Sequence, residues 1–153
     1  MTQTIKFGDI LSVKSGIIVQ GVNAQGVMGS GVAKAIREKY PQVYEEYRGV
    51  YEQEGLPLGS VVVSMINQGI GLLVASAITQ QFFGKDGKKY ISYEAIHKAM
   101  MEIAGEADAI GLPIHYPLIG AGLGGGDWSI IQAIIDSVFA KYPQVQRTLW
   151  IRE

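Results

Sequence analysis

Cysteine is absent from this sequence of 153 residues, which excludes disulfides and thiolate chemistry. Histidine is scarce as well. His97 and His115 are the only two, too few to assemble a histidine-rich zinc site. Neither sign of charge dominates, with 13 Lys and Arg against 14 Asp and Glu, so no basic excess draws a nucleic-acid backbone. No apolar run approaches membrane-spanning length. The first twenty residues place Lys6, Asp9 and Lys14 among apolar neighbours, unlike a signal peptide. These absences point to a single cytoplasmic domain over residues 1–153, expected to be a monomer that uses no metal or cofactor and touches no membrane.

Glycine is what the chain has in quantity, with 20 residues, and it is concentrated. Five of the seven residues from Gly120 to Gly126 are glycine, inside the stretch Pro117 to Trp128. A glycine loop that leads into a helix brings backbone N–H groups close to a ligand and adds the positive end of the helix dipole, which together hold a phosphate without a lysine. A flexible surface turn would tolerate the same glycines but would not need Leu118, Ile119 and Leu123 among them. A second such loop, Asn23 to Gly31, follows the continuous β-branched run Ile17 to Val22 and precedes Val32, Ala33, Ile36 and Tyr40 at helical spacing.

Taken in order, the pattern predicts strands at Thr4 to Phe7 and Ile17 to Val22. A helix follows and is stopped by Pro41, and a second helix carries Val43, Tyr44, Tyr47, Val50 and Tyr51 on one face. Ser60 to Met65 and Leu72 to Ala77 read as a hairpin. Thr79 to Tyr90 is a polar and aromatic surface excursion. Ser92 is placed to cap a helix buried through Ala95, Ile96, Ala99, Met100 and Ile103. Ala109 to Ile114 is expected as a buried strand, Trp128 to Phe139 as a helix with Asp127 at its N-cap, and Arg147 to Ile151 as the last strand. Strands and helices in alternation predict an α/β fold, a three-layer α/β/α sandwich with a mixed, mostly parallel sheet. Ligands of such sheets bind beyond the carboxyl ends of the strands, where both glycine loops emerge.

Gly8-Asp9-Ile10, Asn23, the run Gly26 to Ala33, Tyr40-Pro41 and Ile119 to Trp128 together resemble a macro domain. The branch that processes ADP-ribose 1''-phosphate is the nearest in character, and the segment Gln80 to Tyr93 is similar to it as well. The resemblance covers nearly the whole chain and implies ADP-ribose or ADP-ribose 1''-phosphate as the ligand. It implies a metal-independent phosphatase yielding ADP-ribose and phosphate. A non-catalytic ADP-ribose-binding module and an ADP-ribosyl hydrolase acting on modified macromolecules are the alternatives.

By the same resemblance Asp9 accepts from the adenine amine, the backbone at Ile10 serves a ring nitrogen, and Asn23 bonds the distal ribose. Met28, Gly29, Ser30, Gly31 and Val32 form the first phosphate loop, and Ile119, Gly120, Ala121, Gly122, Leu123 and Gly124 the second. For catalysis the candidates are Asn23, Asp127 as a base and His115 near the distal ribose. Asp127 equally fits a helix N-cap, His115 a packed strand-end residue, and His97 a bystander. Gln20 stands where some phosphatases of this branch carry a catalytic histidine, and glutamine cannot shuttle a proton. Certain relatives use a lysine nucleophile around Gln80-Gln81, where no amine is present. Lys85, Lys88 and Lys89 follow in what reads as a solvated turn.

Overall fold

The computed structural model describes residues 3–152. Six strands form one sheet in the order β1-β6-β5-β2-β4-β3, where β1 is Thr4–Phe7, β2 Gly16–Asn23, β3 Val61–Asn67, β4 Leu72–Gln80, β5 Ile114–Tyr116 and β6 Arg147–Ile151. All pairings are parallel except the β3–β4 hairpin. The central position of β2 and β4 explains their continuous apolar sequences, since both faces of each are covered. β1 and β3 are the edges, and β1 is exposed throughout.

Four helices cover the two faces: α1 Gly31–Lys39, α2 Pro41–Glu54, α3 Tyr93–Ile110 and α4 Trp128–Phe139. One core layer joins α3 and α4 to the sheet through Ile96, Met100, Ile103, Ile131 and Ile135. On the other face α1 and α2 pack Ile36, Val43 and Tyr47 against Ile18, Val74 and Ile78. The expected three layers are therefore present. Pro41 has two effects, because α1 ends at Lys39 and the proline occupies the first turn of α2, where its missing N–H costs nothing. Ser92 caps α3 by accepting from Ala95 N at 3.1 Å.

Two boundaries differ from the sequence pattern. Ala109 to Ile114 is not a strand: α3 continues to Ile110, Gly111 ends it with its N–H on Ala107 O at 2.8 Å, and β5 begins only at Ile114. Asp108, Ala109 and Ile110 are exposed on the final turn, so the apolar run that looked like a buried strand is split between a helix end and a link. β4 runs on to Gln80, three residues past Ala77, and carries Thr79 and Gln80 to the sheet end. The last strand, β6, lies between β5 and β1, so the chain's first strand is added outside its last.

Candidate functional site

A cleft of 660 Å³ opens where β1, β6, β5, β2 and β4 end. Four inter-strand steps separate β1 from β4, so the cleft extends roughly 19 Å across the strand ends. That length suits a nucleoside diphosphate sugar. Gly8, Asp9 and Ile10 line it after β1, Arg152 after β6, Pro117 to Gly124 after β5, Asn23 and the α1 start after β2, and Gln80, Phe83 and Lys85 after β4.

At the β1 end the chain turns through a 3-10 turn, Ile10–Ser12, capped by Asp9. Asp9 Oδ1 accepts from Leu11 N at 2.9 Å, and the buried Ile10 has an N–H that meets no protein acceptor among the described residues. A carboxylate beside a free N–H is an acceptor and donor pair suited to the edge of a base.

The first glycine loop is held by hydrogen bonds. Asn23 Oδ1 accepts from Gln25 N at 2.9 Å, Val27 N at 3.3 Å and Tyr47 Oη at 3.0 Å, while Nδ2 donates to Val27 O at 2.8 Å. Arg48 Nη1 donates to Gly26 O at 3.2 Å from the same helix as Tyr47. The loop delivers the chain to α1 with Ser30 at the N-cap, and no side chain caps that end. Among the described residues the first N–H groups of α1 therefore have no partner, and they face the cleft with the helix dipole behind them. Gly31 takes φ +59°, and a Cβ there would meet open space.

The second loop is held by packing. Gly126 N donates to Gly120 O at 2.8 Å and Gly125 N to Gly122 O at 3.0 Å, folding the loop on itself, while Gly124 O accepts from Tyr90 N at 2.7 Å and Ile91 N at 3.2 Å. A Cβ on Gly124 would lie 2.5 Å from Ile91 Cγ2, and one on Gly126 2.8 Å from Gly120 O. Among the described residues the N–H groups of Gly122, Leu123 and Gly124 meet no protein acceptor. Together with the start of α1 they make two arcs of backbone donors lining one cleft.

Most of the residues singled out in the sequence line this cleft: Asp9, Ile10, Asn23, Gly29, Ser30, Gly31, Val32 and Ile119 through Gly124. Three do not. Met28 is turned into the core, 1% exposed, with its sulfur 4.0 Å from Gln20 Nε2, because the loop needs an apolar anchor beneath it. His115 sits on β5 with Nδ1 accepting from Trp150 Nε1 at 3.0 Å, away from the cleft lining. Burial, with a smaller contribution from Lys6, holds its pKa below the ordinary histidine value, so the ring is a neutral acceptor. Asp127 is the cap of α4: Oδ1 accepts from Ser129 Oγ at 2.7 Å and Ser129 N at 2.9 Å. Those two bonds hold its carboxyl below the usual carboxylate range, and it does not line the cleft.

Gln20 is likewise remote, 1% exposed in the α1/α2 core, where Nε2 donates to Ser76 Oγ at 2.8 Å. Gln20 itself is not among the residues lining the cleft, although Gly21 beside it is. Lys85, exposed as a solvated turn predicts, also lines the cleft, together with Phe83, Trp150 and Arg152, which the sequence pattern did not single out. The available signal was position: Phe83 and Lys85 follow a buried central strand, and Arg152 follows the last strand, at the same sheet end as the glycine loops. Among the described residues no cluster of His, Asp or Glu is arranged to hold a metal, and no helix is long and apolar enough to cross a membrane.

The family model described as Macro domain matches residues 19–135. A DNA ADP-ribosyl glycohydrolase of Mycobacterium tuberculosis is 23% identical over 145 residues, which is 94% of this chain but only 40% of that protein's length. Among solved structures, the macrodomain of Mycobacterium tuberculosis DarG superposes with a TM-score of 0.83 at 22% identity, over 97% of this chain and 98% of that one. Thermosipho africanus DarTG in complex with ADP-ribose gives 0.81 at 20% identity, over 98% of this chain and 42% of that one. With the family match spanning both glycine loops and most of the sheet between them, the chain belongs to the macro domain family.

Proposed function

We propose that this chain binds ADP-ribose in the cleft and hydrolyses the bond joining its distal ribose to a macromolecular carrier. The observation that carries the binding is the pair of unpartnered backbone arcs, the uncapped start of α1 and Gly122 to Gly124, within one cleft that has Asp9 at its other end. Neutral donors hold the diphosphate there, which accounts for an anion ligand on a chain of net charge −1. Asp9 and the Ile10 N–H take the base, and the distal ribose lies toward β4.

Two observations support a carrier larger than phosphate. Phe83 and Lys85 line the cleft after β4, and Phe82 beside them is 63% exposed, so the ribose end leads out to an aromatic and basic rim. The glycohydrolase relative supports the same bond. In the reaction water adds at the anomeric carbon and the carrier leaves with the proton. A second reading, hydrolysis of ADP-ribose 1''-phosphate to ADP-ribose and phosphate, rests on the sequence resemblance, and Gln80 on the cleft wall is an amide at the position where certain relatives use a lysine nucleophile.

The test is calorimetric titration with ADP-ribose, followed by incubation with an ADP-ribosylated oligonucleotide, an ADP-ribosylated peptide and ADP-ribose 1''-phosphate. Binding with release of ADP-ribose from either macromolecule supports the first reading. Phosphate release from the last substrate alone replaces it with the second, and binding without any turnover leaves a nucleotide reader.

A further inference from the structure

Tyr47 is fully buried in α2 and lines no part of the cleft, yet its hydroxyl reaches the residue at the end of β2. It lies 2.6 Å from Asn23 O and 3.0 Å from Asn23 Oδ1, and its single proton serves those two acceptors. Burial pushes the Tyr47 phenol well above its ordinary value, with Val27 and Gly26 backbone bonds opposing more weakly, so the proton stays on the oxygen at any working pH.

The bonds around Asn23 define the orientation of its amide. Gln25 N, Val27 N and the Tyr47 hydroxyl are donors and all meet Oδ1, whereas Val27 O is an acceptor and meets Nδ2. Reversing the amide would set donors against donors. An Asn Nδ2 carries two hydrogens, and Val27 O takes one. Among the described residues the second has no protein acceptor, and Asn23 lines the cleft. Tyr51, one turn after Tyr47, supports the same loop, since a Cβ on Gly26 would lie 2.8 Å from its ring.

We infer that Tyr47 is a positioning residue for ligand recognition: its hydroxyl fixes Asn23 Oδ1 inward, so that the remaining Nδ2 hydrogen is presented to a hydroxyl of the distal ribose. The inference rests on the reading of the cleft as an ADP-ribose site. Asn23 ends β2, next to β4 and three strands from β1, so its hydrogen serves the ribose end and not the base end. The consequence is a selective one. Losing the hydroxyl weakens ADP-ribose but not ADP, which lacks the distal ribose.

The experiment is titration of wild type and Tyr47→Phe with ADP-ribose and with ADP. Tyr47→Phe keeps the ring and its packing. The expected result is about tenfold weaker ADP-ribose binding, with ADP binding unchanged within about twofold, equivalent to about 1.4 kcal/mol placed on one end of the ligand. In the Asn23→Ala background the same change should cost ADP-ribose affinity nothing further. An unchanged ratio of the two affinities in Tyr47→Phe, whether both fall or neither does, overturns the inference. Wild type that binds ADP but not ADP-ribose overturns the reading of the site itself. If Tyr47→Phe does not fold, side-chain amide NMR of the wild type decides: one Asn23 Nδ2 proton must shift with ADP-ribose and not with ADP, and a silent amide overturns the inference.

Discussion

The two glycine loops are both rich in glycine and are held in different ways, although Gly26 of the first, with a would-be Cβ 2.8 Å from the Tyr51 ring, shares the close packing of the second. In the first, residues 23–31, side chains hold the backbone by hydrogen bonds, Asn23 from within the loop and Tyr47 and Arg48 from α2, and Gly31 has open space where a Cβ would stand. In the second, residues 117–126, almost no side chain bonds to the loop, and several glycines are required because neighbours occupy the space a side chain would need. Gly125 is the extreme case, at φ +74° with a would-be Cβ 2.4 Å from Lys88 O. The lesson is that a glycine run is not one signal. Some of its members create room for a ligand, and others let two stretches of backbone approach each other.

That distinction can be broken by substitution. Gly125→Ala should have the largest effect, because both the dihedral and the Lys88 carbonyl oppose it. A loss of about 2–4 kcal/mol in urea unfolding is expected, and ADP-ribose binding should weaken as a result of loop displacement. Unaltered stability would show that the second loop is as loosely built as a surface turn. Gly122→Ala probes the same loop at a position where a Cβ meets nothing within 4 Å and φ is not positive. Its stability should stay within about 0.5 kcal/mol of wild type, while the methyl group in the cleft weakens ADP-ribose by about tenfold, or ~1.4 kcal/mol. Equal affinity in that variant would remove Gly122 from the phosphate cradle.

Smaller effects separate the cleft from its surroundings. His115 has a pKa held below 6.5 in the folded chain, so the unfolded chain takes up a proton first as pH falls. Stability should therefore decline on acidification from about 6.5 through the lowered folded value. His115→Gln, whose amide oxygen can still accept from Trp150 Nε1, should flatten that slope and leave ADP-ribose binding at pH 7.5 unchanged. Smallest is Asp127→Ala: loss of the α4 cap lowers the melting temperature by a few degrees without reducing turnover. A large fall in turnover at wild-type affinity would restore Asp127 as a catalytic base.

The sequence made some of these features legible and hid others for physical reasons. The apolar run Ile17 to Val22 in β2 reports burial on two faces, and Ser92 and Asp127 report helix starts, because both signals are local. The macro domain motifs placed Asp9, Asn23 and both loops in one cleft. Met28 and His115 fall outside the cleft lining because a side chain's direction depends on what lies beside it: Gln20 and the α1/α2 core in one case, Trp150 in the other. Phe83 and Lys85 are exposed, as a surface segment near the sheet end predicts, and only the tertiary structure shows that they also line the cleft. The strand at Ala109 failed for a related reason. An apolar run is compatible with a helix end until the sheet shows where β5 can pair.

By itself the sequence determined the layering and the end of the sheet at which the cleft opens, since periodicity, caps and glycine punctuation act over a few residues. Tertiary structure alone decided which glycines line the cleft, that Asp127 caps α4 and His115 accepts from Trp150, and that the hydroxyl of Tyr47, 24 residues from Asn23, reaches its amide. Those outcomes depend on contacts between segments distant in the chain, and no local pattern of residues encodes the geometry of such a contact.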